Sequence, residues 1–123
     1  MSRPIVLVVD DEPLITNMLG MVLDLGVDAV VLTTNSPVKA LEILEEGRVS
    51  LLLTDYLMPE LNGLKLIQAL RQMGSTIPVL LLTGYCDEPE LAANHDRLKP
   101  FEVIVKPWKN EYLVGRINSW LGV

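Results

Sequence analysis

Residues 5–13 read IVLVVDDEP, and this stretch decides the fold. The first five residues are apolar and mostly β-branched, which is typical of a strand buried on both faces of a parallel sheet. Acidic residues and Pro13 then follow, and acids with a proline in the first turn indicate the start of a helix. A buried strand that runs directly into a helix predicts a βα unit.

The same unit recurs along the chain. Short apolar runs alternate with segments of helical period, and Gly26 and Gly47 end the first two helices. The fourth helix is the shortest, over residues 89–94, and Pro100 forbids its continuation. Right-handed crossovers place helices on both sheet faces, so we predict an α/β fold: a three-layer α/β/α sandwich with a five-stranded parallel sheet. The predicted strands are residues 5–9, 29–32, 51–54, 79–82 and 103–105.

Composition narrows the classes of function. The 123 residues carry 10 basic and 16 acidic side chains, a net charge of −6, and the basic ones are scattered, so nucleic-acid binding is not expected. No apolar run reaches the roughly 18 residues that a membrane-spanning helix needs. The single Cys86 fits a reducing compartment. We expect one cytoplasmic domain over residues 1–123.

Reactive side chains collect where the predicted strands end. The carboxyl ends of parallel strands share one edge of the sheet, which is where ligands bind in such folds. Three acids there would repel one another unless a cation relieved them, and Mg²⁺ prefers such oxygen ligands. Together with a carboxylate nucleophile, an ammonium group and a hydroxyl, this indicates phosphoryl transfer. The residues are Asp10 and Asp11 after the first strand, Asp55 after the third, Thr83 after the fourth and Lys106 after the fifth.

With these residues in place, the chain resembles the receiver domains of two-component response regulators. Four motifs carry the resemblance in the family's order and spacing, and it covers essentially the whole chain. The family implies a flavodoxin-like (βα)5 fold with strand order 2-1-3-4-5. The motifs are VVDDEP at 8–13, LTDYLMPELNG at 53–63, LTGY at 82–85 and VKPW at 105–108.

The resemblance implies a phosphoacceptor and a metal site. Asp55 matches the residue that the family phosphorylates. Asp10 and Asp11 match the acids that hold Mg²⁺ or Mn²⁺ together with Asp55, and the backbone carbonyl of Leu57 matches a further ligand.

It also implies residues that handle the phosphoryl group. Thr83 matches the hydroxyl residue that turns toward this group, and Lys106 matches the lysine that pairs with it. Gly84 is expected to keep the approach to the acceptor open. Pro107 stands where the family usually has a cis peptide bond, which would set the direction of the loop.

Two stretches depart from the family pattern. The family usually carries a Tyr or Phe three residues before the lysine, and its ring swings inward when the threonine moves. Val103 stands there instead, and a stiff side chain without a ring is not expected to provide that coupling. Residues 94–100, NHDRLKP, replace the Gly-Ala turn that is common before the fifth strand.

The leading hypothesis is a phosphoacceptor switch of a phosphorelay. Asp55 would accept a phosphoryl group from a phosphohistidine of a sensor histidine kinase or a histidine phosphotransfer protein. The surface of the fourth helix, fifth strand and fifth helix would then change, and the family also forms homodimers there. The chain would be catalytic only in its own phosphorylation and dephosphorylation. No output domain is expected within it, so it is either a stand-alone receiver or a piece of a larger protein.

Two alternatives remain open. A degenerate receiver would dock to its partners without phosphorylation, a hypothesis motivated by Val103 and the irregular fourth helix. An aspartyl-nucleophile phosphatase would use an acid after the first strand. Such enzymes favour an Asp-x-Asp loop with cap insertions, whereas this chain has adjacent Asp10 and Asp11 and no insertion.

Overall fold

A computed structural model describes residues 3–84 and 89–122, so Tyr85 and Cys86 lie outside the described residues. Strands and helices alternate along the chain, which confirms the α/β fold class. Within the described parts, no helix has the length and apolar character that a membrane crossing requires. The elements are β1 (Ile5–Val9), α1 (Pro13–Gly26), β2 (Val30–Thr34), α2 (Pro37–Glu45), β3 (Leu51–Asp55), α3 (Gly63–Gln72), β4 (Val79–Thr83), α4 (Pro89–Leu98), β5 (Phe101–Val105) and α5 (Asn110–Leu121).

The five strands form one parallel sheet in the order β2-β1-β3-β4-β5, as the resemblance implied. Successive side chains of a strand point to opposite faces. Leu7 and Val9 pack on the face covered by α2, α3 and α4, whereas Val6 and Val8 pack on the face covered by α1 and α5. The sandwich therefore has three layers, and every residue of the central β3 and β4 is buried.

Local contacts fix α3 directly against the end of β3. The Asn62 side chain accepts a hydrogen bond from the Lys65 backbone N–H, which caps the helix. The Gly63 N–H donates to the Tyr56 carbonyl over 2.7 Å. A Cβ atom on Gly63 would lie 2.5 Å from the carbonyl oxygen of Asp55. Only glycine allows this close approach, which brings α3 up to the strand end that carries Asp55.

The bounds of several elements differ from the prediction, and β3 and β4 each extend one residue further, to Asp55 and Thr83. The prediction that the fourth helix covers only residues 89–94 was wrong, because α4 continues to Leu98. Leu91 and Leu98, seven residues apart, are both buried, so tertiary packing stabilises the two helical turns between them. The polar residues in between gave no apolar periodicity from which the end of the helix could be predicted. Strand β5 begins at Phe101 rather than 103, because the Phe101 side chain is also buried. Strand β2 is shifted along the chain to Val30–Thr34.

Candidate functional site

Three acidic side chains meet at the carboxyl edge of the sheet. Val9 and Thr54 are partners in the β1–β3 register, so the next residues on the two strands, Asp10 and Asp55, lie side by side. Asp11 follows at the start of the loop to α1. Carboxylate oxygens of Asp10, Asp11 and Asp55 lie within 4.8 Å of one another. Asp10 and Asp55 are buried and Asp11 is half-buried.

The environment of Asp10 favours a neutral carboxyl group or a bound cation. Burial raises the pKa of Asp10 from 3.8 to about 6, against the hydrogen bond from the Glu12 backbone N–H, which lowers it. The negative charges of Asp55 and, to a smaller extent, Asp11 raise this pKa further, while the charge of Lys106 lowers it. A divalent cation among these oxygens would remove the repulsion that keeps the pKa high.

The donor set of this cluster fits a hard divalent metal. Carboxylate oxygens are the ligands that Mg²⁺ prefers, and a magnesium site typically combines one or two carboxylates with water and phosphate oxygens. Asp10 is held in place through its backbone, because the Asn35 side-chain amide donates to the Asp10 carbonyl over 2.9 Å. The same amide donates to the Thr16 hydroxyl over 2.9 Å, so α1 and the loop after β2 are tied to the site.

A cavity opens beside the acids. It has a volume of about 320 Å³ and is lined by Asp55, Leu57, Thr83, Gly84 and Lys106. A Cβ atom on Gly84 would meet no atom of the described residues within 4 Å, so this wall of the cavity is open. The structure thus brings the predicted phosphoryl-handling residues to the same place as the predicted acceptor.

Lys106 reaches the predicted acceptor, Asp55, directly. Its Nζ atom donates a hydrogen bond to Oδ1 of Asp55 over 2.6 Å. The Lys106 backbone N–H donates to the Thr83 carbonyl over 2.9 Å, which fixes the end of β5 against the end of β4. The Lys106–Pro107 peptide bond is cis, which agrees with the geometry that the resemblance implied. An ammonium group beside a buried carboxylate can neutralise charge that arrives on that carboxylate.

Val103 lies on β5, away from these groups. It is half-buried and packs against the core on the α4 side of the sheet. The position that carries a ring in the family therefore holds only a short aliphatic side chain.

The sequence left Asn35 and Tyr56 without a role. Nothing in the spacing of Asn35 links it to Asp10, since the contact depends on the loop after β2. A hydrogen bond from Tyr56 could have been expected from the sequence, because the hydroxyl of a tyrosine within a buried stretch usually has a partner. Its hydroxyl donates to a carboxylate oxygen of Glu90 over 2.8 Å, across to the first turn of α4.

Comparison with known proteins gives consistent matches. A family model described as the response regulator receiver domain matches residues 6–118. The uncharacterized transcriptional regulatory protein YkoG of Bacillus subtilis (strain 168) is 31% identical over 121 residues, covering 98% of this chain and 52% of that protein. The cyclic di-GMP phosphodiesterase response regulator RpfG of Xanthomonas campestris pv. campestris (strain 8004) is 34% identical over 119 residues, covering 94% of this chain and 31% of that protein. The chain thus spans about half or less of the length of these curated relatives.

A solved structure shows the same fold. The crystal structure of a response regulator receiver domain protein from Clostridium thermocellum aligns with a TM-score of 0.86 at 25% sequence identity. The alignment covers 97% of this chain and 94% of that one.

Proposed function

Because the chain belongs to the response regulator receiver domain family, we propose that it is a signalling switch set by phosphorylation of Asp55. The observation that carries the proposal is the surroundings of this one carboxylate. Two further acids lie within 4.8 Å of it, Lys106 donates to it over 2.6 Å, and it lines an open cavity. A nucleophile with a cation site and an ammonium group beside it suits phosphoryl transfer.

The proposed transfer step uses a phosphohistidine as donor. A carboxylate oxygen of Asp55 forms a bond to phosphorus while the bond from phosphorus to the imidazole nitrogen breaks. The electron pair of the broken bond returns to the imidazole, which leaves as a neutral ring when its other nitrogen carries a proton. The product is an aspartyl phosphate. Asp10, Asp11, Asp55 and the Leu57 carbonyl would hold Mg²⁺ or Mn²⁺, whose charge offsets that of the phosphoryl oxygens.

Two residues of the chain would respond to the new group. Lys106 already lies on the acceptor and would donate to a phosphoryl oxygen, because that group adds charge and strong acceptors at this place. Thr83 is buried at the wall of the cavity, where its hydroxyl would donate to the same group. Thr83 is the last residue of β4 and leads toward α4, so its movement would be transmitted to that helix.

The surface of α4, β5 and α5 would carry the output. It contains a groove of about 650 Å³ that Phe101, Val103 and Trp120 help to line. Glu102, which also lines the groove, is fixed by two hydrogen bonds from Arg116, of 2.7 and 2.8 Å. An apolar groove next to ordered charges is suitable for a second protein surface, and we propose a homodimer or an output partner there.

The partners proposed are a sensor histidine kinase or a histidine phosphotransfer protein as donor, and an output domain on the same chain or a separate one. The relatives YkoG and RpfG are a transcriptional regulatory protein and a phosphodiesterase response regulator. We propose that residues 1–123 form one receiver domain that acts in the cytoplasm. We also propose that this domain does not itself bind nucleic acid, because its net charge is −6.

The intact mass of the protein tests the proposal. Wild type and Asp55→Asn are incubated with acetyl phosphate and Mg²⁺, and with EDTA in place of Mg²⁺. A single phosphoryl adduct on the wild type that requires Mg²⁺ and is absent from Asp55→Asn is the expected result. Absence of any adduct would favour a docking module that works without phosphorylation. Hydrolysis of the donor that does not depend on Asp55 would favour a phosphatase.

A further inference from the structure

The C-terminal half of α4 is held by several hydrogen bonds. The guanidinium group of Arg71, at the end of α3, donates to the carbonyl oxygens of Leu98 and Pro100 over 2.7 and 2.9 Å. It also donates to two carbonyls in the segment before β4, over 3.2 and 2.8 Å. One helical turn earlier, Nε2 of His95 lies 3.0 Å from the Phe101 carbonyl oxygen. This end of the helix is therefore fixed to both α3 and β5.

The first turn of α4 is joined instead to the residue that follows β3. Tyr56, the residue after Asp55, donates from its hydroxyl to Oε2 of Glu90 over 2.8 Å. The tyrosine cannot shift easily, because its backbone N–H donates to the Leu82 carbonyl over 2.9 Å and its carbonyl accepts from the Gly63 N–H over 2.7 Å. Its side chain is buried, whereas Glu90 is exposed. A fixed donor directly after β3 thus holds a surface residue of α4.

The hydroxyl group is not needed to fill the core. The ring of Tyr56 packs in the apolar cluster between the sheet and α2, α3 and α4, where a phenylalanine ring of the same shape would pack equally well. The hydroxyl adds a polar atom to a buried site, and it donates to the helix that the proposed switch must move. Val103 provides no ring for that purpose, so a different contact has to link the acceptor to α4.

We propose that Tyr56 is a positioning residue that holds the first turn of α4 in its resting place through Glu90, so that this turn opens, while the Arg71-bound end stays in place, when the contact is released. The inference rests on the proposed function only for its trigger. A phosphoryl group on Asp55 lies one residue from Tyr56, and the response of Thr83 acts on the segment that leads into α4. Release of one hydrogen bond shifts the equilibrium between two arrangements of the helix.

Hydrogen exchange of the unphosphorylated protein tests the contact itself. Tyr56→Phe should make the backbone amides of residues 93–97 exchange about threefold to tenfold faster, which is the effect of losing one hydrogen bond. Glu90→Ala should act alike, whereas Glu90→Gln, which keeps an acceptor oxygen, should match the wild type. The double variant Tyr56→Phe with Glu90→Ala should exchange no faster than either single variant. Tyr112→Phe removes an exposed hydroxyl on α5 and serves as the matched control.

Two results would contradict the role proposed for the contact between Tyr56 and Glu90. One is wild-type exchange of α4 in Tyr56→Phe, and the other is a double variant whose increase is the product of the two single increases. The second result would mean that Tyr56 and Glu90 act independently of each other.

The coupling is tested on the phosphorylated protein. In the wild type, formation of the Asp55 adduct should speed exchange of residues 93–97 to the rate seen in unphosphorylated Tyr56→Phe, and phosphorylation should change that rate little in Tyr56→Phe. An adduct that leaves exchange of α4 unchanged in the wild type would overturn the coupling. Failure to form any adduct would overturn the proposed function, while the exchange of the unphosphorylated variants would still decide the contact.

Discussion

The surroundings of Asp10 favour metal binding but lower the stability of the metal-free protein at neutral pH. Its side chain is buried beside two other acids, and burial raises its pKa to about 6. The folded protein therefore binds a proton at this site more tightly than the unfolded chain does. The stability that comes from this proton is complete below pH 3.8 and is lost as the pH rises through about 6.

Asp10→Asn should stabilise the metal-free protein at neutral pH. The substitution removes a buried charge but keeps an oxygen that accepts from the Glu12 N–H, so we expect an increase of about 1–3 kcal/mol in the free energy of unfolding at pH 7. The difference should shrink toward pH 4, where the wild-type carboxyl is protonated. Urea unfolding in EDTA across this pH range measures it, with Asp24→Asn, an exposed acid on α1, as control. A difference in the free energy of unfolding that is independent of pH would contradict the raised pKa of Asp10 as its cause.

The residues of the candidate site could be predicted from the sequence because the ends of the strands could be predicted. Asp10, Asp55 and Lys106 each follow an apolar run, and parallel strands bring their carboxyl ends together, so position along the chain gave their location. The link from Tyr56 to Glu90 was not predictable, because it depends on where α4 packs. Helix propensity and the periodicity of apolar residues give no information about where α4 packs on the sheet.

At the scale of elements, Arg71 explains why α4 is longer than its sequence indicated. Burial lowers the pKa of Arg71, yet an arginine remains charged in proteins. Its guanidinium group donates to the carbonyl of Leu98, the last residue of α4, and to three carbonyls in the segments that follow α3 and α4. The Leu98 carbonyl is at the C-terminus of α4, where carbonyls lack partners within the helix. A sequence reading sees only an arginine near the end of α3, which is typical of a charge at a helix C-terminus.

Arg71→Met should destabilise the fold. The methionine keeps much of the aliphatic length but donates nothing, so several part-buried carbonyls lose their donor, and we expect a loss of about 2–4 kcal/mol. Urea unfolding at pH 7 measures the loss. Arg48→Met removes an exposed arginine that pairs with exposed Glu46, and it should change stability by less than about 0.5 kcal/mol. Equal effects of the two substitutions would show that Arg71 contributes only as a surface charge.

For the whole molecule, the proposed metal site links ion binding to global stability. A ligand that binds only the folded state stabilises it by about 2.7 kcal/mol at a concentration 100 times its dissociation constant. We therefore expect millimolar MgCl₂ to raise the thermal midpoint of the wild type by at least about 3 °C. NaCl at equal ionic strength should not do so, and Asp10→Asn should lose most of the shift. A shift of equal size in both salts would argue against a site formed by the three acids.

The order of the residues along the chain also determines when the proposed site can form. Asp10 and Asp11 follow the first strand, but Lys106 follows the last, and β1 lies between β2 and β3 in the sheet. A ribosome adds the roughly one hundred residues between these groups in about 5–20 s. Throughout that interval the nascent chain exposes its acids without their lysine. The proposed site is therefore complete only after β5 has joined the sheet, so the proposed phosphorylation has to follow synthesis of the last strand.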